Sequence, residues 1–152
     1  MVAAGDAAPK FKLPTDGGGE ISLSDFKGKT LVLYFYPKDD TSGCTKEACA
    51  FREHFDAFKA AGAEIVGMSP DPVKKHDKFK EKYDLPFTLA SDEEKKTLDA
   101  YGVWVEKSMY GRKYMGVERS TFVIGPDGKI QHAWRKVRVP GHVEAVLEAV
   151  QS

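Results

Sequence analysis

The apolar run LVLYFY at residues 31–36 constrains the fold of this chain more than any other feature. A continuous apolar segment of this length predicts a strand that is covered on both faces of its sheet. Such a strand requires helices on either side, so we predict an α/β fold with a central sheet flanked by α-helices. In sheets of this kind, reactive groups gather at the carboxyl ends of the strands, which directs attention to the residues that follow position 36.

Strand-like and helix-like segments alternate after this run. A helix-like stretch covers about 41–61, and the strand-like segment 64–69 precedes a helix for which we expect Asp71 as the N-cap and Pro72 as the first residue. Residues 86–91 predict a third strand, which a short helix ending near Gly102 follows. These β-then-α units indicate parallel neighbours in the sheet.

The last third of the chain predicts a hairpin and a terminal helix. Residues 119–125 and 129–134 are strand-like and flank Pro126-Asp127-Gly128, a sequence typical of a turn. The stretch before them, rich in glycine, lysine and tyrosine, is expected to be a loop. The terminal helix has apolar residues at helical spacing: Val143, Val146, Leu147 and Val150. The predicted sheet is therefore mixed, and because no linker divides residues 1–152, we expect a single domain.

Charge and composition exclude several classes of partner. The 23 basic and 23 acidic residues cancel, which leaves no electrostatic footprint for nucleic acid or an anionic membrane surface. The first residues lack the pattern of a secretory signal, and the run at 31–36 is far shorter than a membrane span. With two cysteines and no N-x-S/T sequon, a reducing compartment is favoured. We expect a cytoplasmic protein without nucleic-acid or membrane partners.

Cys44 is placed where a helix is predicted to begin. With Thr41 as the N-cap, Cys44 is the third helical residue, where unpaired backbone N–H groups and the helix dipole favour an anion such as a thiolate. A helix end contributes only about 0.3 to 2 kcal/mol, so we expect that a fixed cation is needed as well. Gly43 beside the cysteine leaves room for a reactant to approach the backbone.

The five-residue spacing of Cys44 and Cys49 has a geometric consequence. On an ideal helix Cys49 is turned about 140° from Cys44, which shares an apolar stripe with Ala48 and Phe51. The two Cα atoms are then about 8.7 Å apart, whereas a disulfide needs less than about 7 Å. The spacing favours one thiol that reacts in the folded state and a second that captures it after the first helical turns unwind.

Other interpretations of the two thiols are simpler or chemically different. Two inert core cysteines are the simplest, because cysteine is among the most frequently buried residue types. A metal site is disfavoured, since only His54 is close in sequence and the other three histidines are scattered. A cysteine hydrolase needs a histidine base, and His54 lies about 15 Å along the same helix from Cys44. The phosphate-binding pattern G-x-x-x-x-G-K-[ST] is absent.

Residues 37–44, PKDDTSGC, resemble the P-x-x-x-T-x-x-C signature of peroxiredoxins, and the segment from Cys44 to Cys49 resembles the Q type, also called bacterioferritin comigratory protein. Further similarities run through the chain: Gly5, Ala8-Pro9, Phe11, Leu13, Ser91-Asp92, Tyr101-Gly102-Val103-Trp104 and the strand that starts at Arg119. The resemblance implies a thioredoxin-like fold that carries a thiol peroxidase.

The resemblance also implies roles for individual residues. Cys44 would be the peroxidatic cysteine and Cys49 the resolving cysteine. The residues around the reacting sulfur would be Pro37, Thr41 and Arg119, with Glu47 and Gly43 in support. Sequence alone does not select Arg119 among the arginines, and the role of Cys49 depends on helix geometry as much as on the resemblance.

The implied reaction oxidises Cys44 to a sulfenic acid with a hydroperoxide, which Cys49 then converts to an intramolecular disulfide. A thioredoxin- or glutaredoxin-like reductant would restore the thiols, with no bound cofactor or metal, and a monomer would suffice. A thiol–disulfide oxidoreductase on the same fold stays as an alternative, although C-x-x-C would be expected for it. A redox sensor is the other alternative. Trp104, Tyr110 and Tyr114 either line an opening for organic hydroperoxides or serve as packing.

Overall fold

The computed structural model describes residues 2–152 and contains, within that range, nine β-strands and five α-helices. The strands are β1 (Lys12–Pro14), β2 (Glu20–Ser22), β3 (Thr30–Phe35), β4 (Ala63–Ser69), β5 (Thr88–Ser91), β6 (Trp104–Met109), β7 (Arg112–Val117), β8 (Ser120–Ile124) and β9 (Ile130–Trp134). The helices are α1 (Ser42–Glu53), α2 (Phe55–Ala60), α3 (Val73–Tyr83), α4 (Lys96–Ala100) and α5 (His142–Gln151). None of these helices has both the length and the apolar character that crossing a bilayer demands.

Strand β3 lies at the centre of a five-stranded sheet in the order β5-β4-β3-β8-β9. It is parallel to β4, which is parallel to β5, and it is antiparallel to β8, which forms a hairpin with β9. Residues 31–35 are at most 1% exposed, as expected for a strand covered on both faces. The predicted mixed sheet with flanking helices is therefore confirmed.

Apolar side chains of β3 alternate between two core clusters, one on each face of the sheet. Val32 and Tyr34 pack in the cluster that includes buried residues of α1, α2, α3 and α5. Leu31 and Leu33 pack in the second cluster, to which α4 contributes Leu98. Helices thus cover both faces, which explains why the apolar run is continuous rather than alternating.

The strand register brings distant parts of the chain to one edge of the sheet. Phe35 pairs with Ser120 of β8 and with Met68 of β4. Because β8 is antiparallel to β3, the carboxyl end of β3 lies next to the amino end of β8. Arg119, the residue before β8, therefore lies beside the residues that follow β3.

The helix predicted over about 41–61 is divided at His54 into α1 and α2. His54 serves as the boundary residue of both helices, and its Nε2 lies 3.4 Å from Glu144 Oε1 of α5. The N-cap position of Thr41 is confirmed, so Cys44 is the third residue of α1. Ala48 and Phe51 are buried on the same side as Cys44, as the predicted apolar stripe required.

The prediction that Asp71 caps α3 is wrong, because the N-cap is Pro72 and the helix begins at Val73. Asp71 Oδ2 instead accepts hydrogen bonds from Ser69 Oγ at 2.7 Å and from the Asp39 backbone N–H at 2.8 Å. A carboxylate turned toward the end of β4 is not available to the first turn of the helix.

The stretch before β8 forms the β6–β7 hairpin and not the expected loop. Its turn contains Tyr110 and Gly111, which both have positive φ angles, 52° and 77°. Two-residue hairpin turns of this kind usually contain glycine, asparagine or aspartate. A tyrosine at the first position is not typical of such a turn, so the sequence did not predict the hairpin. The strand pairing places Trp104 and Tyr114 on opposite faces of the hairpin, so they do not line one opening.

Candidate active site

Cys44 lies in the first turn of α1, directly beyond the carboxyl end of the central strand. Its side chain is in contact with the core, and the residue is 1% exposed. The backbone N–H of Thr45 donates to the Thr41 carbonyl at 2.8 Å, which leaves the N–H groups of residues 42–44 without carbonyl partners in the helix. The sulfur therefore lies at a helix end whose dipole favours negative charge.

Arg119 supplies the cation that the sequence analysis required. Its Nη2 donates to Cys44 Sγ at 3.1 Å, and its Nη1 donates to Glu47 Oε1 at 2.7 Å. Burial alone would lower the pKa of Arg119, but Glu47 and Cys44 beside the guanidinium raise it above its ordinary value, so the group stays charged. The arginine fork thus joins the sulfur to a buried carboxyl group.

Gly43 allows the guanidinium to approach α1. A Cβ atom at this position would lie 3.2 Å from Arg119 Nη2, which is closer than most such contacts. The space beside Gly43, where we expected a reactant to approach the backbone, is occupied by the Arg119 guanidinium. A side chain at position 43 would require the guanidinium to shift by a few tenths of an ångström.

Glu47 is fully buried one helical turn beyond Cys44. Its Oε1 accepts the bond from Arg119, whereas its Oε2 has no hydrogen-bond partner among residues 2–152. Burial raises the pKa of Glu47 to about 7, against the lowering influence of Arg119. The proton of the neutral form belongs on Oε2, so Oε1 can accept from Arg119 in either protonation state.

His142 is a neighbour of Glu47 that the sequence analysis did not identify. Its Nε2 lies 4.0 Å from Glu47 Oε2 and 2.8 Å from Thr121 Oγ1. Burial and then Arg119 lower the pKa of His142 to about 4, so the imidazole is neutral near pH 7 and the contact with Glu47 is not an ion pair. No local pattern places His142 here, because the contact depends on how α5 packs beside α1.

Pro37 and Thr41 lie in the loop between β3 and α1, where Pro37 is half-buried and Thr41 is exposed. Thr41 occupies the N-cap position, but its hydroxyl does not cap the helix. The hydroxyl donates to the Lys38 carbonyl at 2.9 Å instead, so the expectation of a capping hydroxyl is wrong. Since its proton is engaged, the Thr41 oxygen presents lone pairs as an acceptor.

Cys49 is half-buried, and both cysteines are free thiols. Both lie within α1, which is regular from Ser42 to Glu53. The helix keeps their Cα atoms about 8.7 Å apart, beyond the reach of a disulfide. The folded dithiol form therefore holds the two sulfurs separate.

A second cluster of buried polar side chains lies beside the loop that carries Pro37 and Thr41. It contains Asp39, Asp71 and His76, which could each offer a metal-ligand atom within 4.8 Å of the others. However, His76 Nδ1 faces Asp39 Oδ2 at 2.6 Å and Nε2 faces the Ala90 carbonyl at 2.9 Å. Both partners are acceptors, so both nitrogens carry protons and neither has a lone pair for a metal. No local spacing connects His76 with Asp39, so the sequence alone does not predict their contact.

Known proteins are similar to this chain over most of its length. Residues 4–133 match the model of the AhpC/TSA family. The chain is 52% identical over 146 residues to a protein of Coxiella burnetii named putative peroxiredoxin bcp, covering 96% of this chain and 97% of the relative.

Two solved structures are also similar. PrxQ of Xylella fastidiosa aligns with a TM-score of 0.94 at 40% identity, covering 99% of this chain and 96% of the other. The bacterioferritin comigratory protein of Xanthomonas campestris, described in terms of its alkyl peroxide reduction activity, aligns with a TM-score of 0.89 at 45% identity, covering 93% and 90%.

Proposed function

This chain belongs to the AhpC/TSA family as a Q-type peroxiredoxin, a thiol-dependent peroxidase, and we propose that Cys44 is the cysteine that attacks the hydroperoxide. The contact of Arg119 Nη2 with Cys44 Sγ at 3.1 Å carries this assignment. A guanidinium and a helix N-terminus together stabilise a thiolate, the nucleophilic form of cysteine. Cys49 has neither the helix-end position nor a contact with Arg119 in this structure.

In the proposed step, the Cys44 thiolate attacks the hydroxyl oxygen of a hydroperoxide. An S–O bond forms while the O–O bond breaks, which yields the sulfenic acid of Cys44 and an alkoxide or hydroxide that takes a proton to become an alcohol or water. Negative charge moves from sulfur to the leaving oxygen. Arg119 and the backbone N–H of Cys44 are hydrogen-bond donors that can follow this charge.

Thr41 and Pro37 orient and protect the reacting atoms in this proposal. The Thr41 oxygen accepts the hydroxyl proton of the hydroperoxide, because its own proton is held by the Lys38 carbonyl. Pro37 follows the end of the central strand and has no N–H group, so it offers no donor that would hold a second peroxide against the sulfenic acid.

Cys49 acts as the resolving cysteine. Its thiolate attacks the sulfur of the sulfenic acid, forming the S–S bond and releasing the hydroxyl as water. The reaction requires α1 to unwind locally, since the helix holds the two residues too far apart. A thioredoxin- or glutaredoxin-like protein then reduces the disulfide by thiol exchange at Cys49, the more exposed of the two residues.

Substrate range, assembly and location follow from the same chemistry. Recognition of the O–O–H group by Thr41 and Arg119 makes no use of the organic part, so hydrogen peroxide and organic hydroperoxides are both substrates. Because resolution occurs within one chain, residues 1–152 act as a single domain in a monomer. A reducing cytoplasm supplies the thiols that the cycle consumes.

Peroxide titration of the reduced protein tests these assignments. Hydrogen peroxide and cumene hydroperoxide should each convert the wild-type protein to a form that loses two hydrogen atoms, with peptide mapping showing a 44–49 bridge. Cys44→Ser should abolish peroxide consumption. Retained activity in Cys44→Ser would remove Cys44 from its role.

Turnover separates an enzyme from a redox sensor. With thioredoxin, thioredoxin reductase and NADPH present, the peroxidase should oxidise many equivalents of NADPH per protein. A sensor would stop after about one equivalent, and a thiol–disulfide oxidoreductase would reduce a disulfide substrate without any peroxide.

A further inference from the structure

Asp39, Asp71 and His76 form a buried polar network that the proposed reaction does not use. His76 belongs to α3, Asp71 to the turn after β4, and Asp39 to the loop between β3 and α1. His76 is fully buried, and the two aspartates are 7% exposed. The loop that carries Pro37 and Thr41 thus holds Asp39 against ionisable groups of two other elements of the fold.

The protonation state of the network follows from its contacts. His76 Nδ1 lies 2.6 Å from Asp39 Oδ2, and Nε2 lies 2.9 Å from the Ala90 carbonyl. Burial alone would lower the pKa of His76, but the hydrogen bond and charge of Asp39, the Ala90 carbonyl and the charge of Asp71 together raise it. His76 is therefore doubly protonated and donates one hydrogen bond to Asp39 Oδ2 of the loop and one to the Ala90 carbonyl of β5.

Both carboxylate oxygens of Asp39 and its backbone N–H are hydrogen-bonded. Its Oδ1 accepts from Tyr36 Oη at 2.5 Å, its Oδ2 faces His76, and its backbone N–H donates to Asp71 Oδ2 at 2.8 Å. The Ser69 hydroxyl also donates to Asp71 Oδ2, at 2.7 Å, which fixes that carboxylate in turn.

The hydrogen bond from the Asp39 backbone N–H to Asp71 also constrains the orientation of Thr41. The Asp39 N–H and the Lys38 carbonyl belong to the same planar peptide group. The N–H is fixed by Asp71, and the carbonyl accepts the Thr41 hydroxyl at 2.9 Å. Fixing the plane through its N–H therefore also fixes the direction in which the Thr41 hydroxyl points.

We propose that Asp39, Asp71 and His76 are positioning residues that hold the Lys38–Asp39 peptide plane, and through it the Thr41 oxygen, in the orientation that receives the hydroperoxide. The proposal rests on the proposed function, since it assigns the network a task in peroxide binding. Asp39 precedes α1 in the chain and Asp71 and His76 follow it, so no member of the network belongs to that helix. The network therefore keeps the binding loop in place while α1 unwinds for resolution.

Two rates measured on Cys44 separate this role from a general effect on the fold. Alkylation of Cys44 by iodoacetamide needs the thiolate but not the peroxide-binding loop, whereas oxidation by hydrogen peroxide needs both. Both rates are measured in a Cys49→Ser background, so that only one thiol reacts. Asp39→Ala should lower the second-order rate constant of peroxide oxidation by about 10- to 100-fold, because a displacement near 1 Å can cost about 100-fold. The alkylation rate should be unchanged.

Asp39→Asn provides the conservative rescue. The amide oxygen can accept from Tyr36 and the amide nitrogen can donate to a neutral His76, so the loop keeps its hydrogen bonds without the charge pair. Its peroxide rate should lie well above that of Asp39→Ala. Ile130→Ala is the matched control, because it removes a buried side chain of β9 that has no contact with the network, and it should leave the ratio of the two rates unchanged.

A wild-type peroxide rate in Asp39→Ala would overturn the proposal, as would an equal fall of both rates. If Asp39→Ala does not fold, Ser69→Ala carries the test, because it removes the donor that fixes the Asp71 carboxylate, and a wild-type ratio of rates in that variant overturns the proposal. Nitrogen NMR of His76 below pH 6 should show two protonated ring nitrogens, and one unprotonated nitrogen contradicts the network. If wild-type Cys44 itself fails to react with peroxide, the proposed function is wrong instead.

Discussion

Arg119 Nη2 lies 3.1 Å from the sulfur of Cys44, although the two residues are 75 positions apart in the sequence. The antiparallel pairing of β3 with β8 creates this contact, because it places the residue before β8 beside the loop and helix that follow β3. A second arm of the same guanidinium binds Glu47 on the next turn of α1. The sulfur is thus adjacent to a cation whose orientation is fixed by a buried carboxyl group.

Arg119→Met should lower the rate constant of Cys44 oxidation by about 100- to 1000-fold, the usual loss when one donor to a developing negative charge is removed. Arg119→Lys should retain part of the rate, since it keeps the charge but cannot bind Cys44 and Glu47 with one planar fork. Stopped-flow oxidation with hydrogen peroxide measures both. Arg112→Met, an exposed substitution on β7, is the matched control. Equal rates for Arg119→Met and wild type would contradict the assignment.

Glu47→Gln should change how stability depends on pH. The folded pKa of Glu47 is raised to about 7 from an ordinary value of 4.5, so its contribution to stability is fully present below pH 4.5 and is lost as the pH rises through 7. The free energy of unfolding relative to Glu47→Gln should fall by on the order of 3 kcal/mol across this window. Urea denaturation at pH 4.5 and 7.5 in a Cys44→Ser background measures it. Parallel pH profiles would contradict the raised pKa.

Gly43→Ala should separate stability from activity. Alanine in place of a helical glycine stabilises a helix by up to about 1 kcal/mol. The new Cβ would lie 3.2 Å from Arg119 Nη2, so the guanidinium must shift by a few tenths of an ångström from the position in which it binds the sulfur. We expect unfolding at a higher urea concentration together with slower oxidation of Cys44. Faster or unchanged oxidation would show that Arg119 does not need the space at Gly43.

Arg52→Ala should accelerate the formation of the 44–49 disulfide. Arg52 Nη1 donates to the Tyr83 carbonyl at 2.6 Å and so ties the last turn of α1 to the end of α3. Loss of a hydrogen bond from a charged group, about 1.5 kcal/mol at the low end, should speed local unwinding by about tenfold or more. The second phase after a peroxide pulse measures resolution, with exposed Lys46→Ala on the same helix as the control. Slower resolution in Arg52→Ala would show that this contact does not restrain α1.

Cys49→Ser should permit one oxidation of Cys44 at the wild-type rate and then stop the thioredoxin-dependent cycle. Without a capturing thiol, the sulfenic acid persists and excess peroxide converts it to sulfinic acid. Mass spectrometry should therefore show two added oxygen atoms on Cys44 in this variant at peroxide doses that leave wild type as a disulfide. Normal cycling in Cys49→Ser would transfer the resolving role to another thiol.

The parts of the fold that sequence predicted correctly are those with local signals. The continuous apolar run predicted a central strand, and the helix start near Thr41 placed Cys44 in the first turn of α1. The β6–β7 hairpin was missed because its turn uses Tyr110 in a left-handed conformation. Asp71 was assigned to α3 because its sequence position suits a cap, whereas the carboxylate is engaged by Ser69 and the Asp39 backbone.

The sequence by itself determined that a thiol lies at a helix start beyond a buried strand, with a second thiol on the same helix and out of bonding distance. Both properties depend on backbone periodicity over a few residues, which the order of amino acids encodes directly. Only the tertiary structure decided that Arg119 meets Cys44, that Glu47 is buried against it, and that His76 binds Asp39. These contacts join residues 37 to 75 positions apart, so they depend on strand order, register and helix packing, which no local pattern of residues specifies.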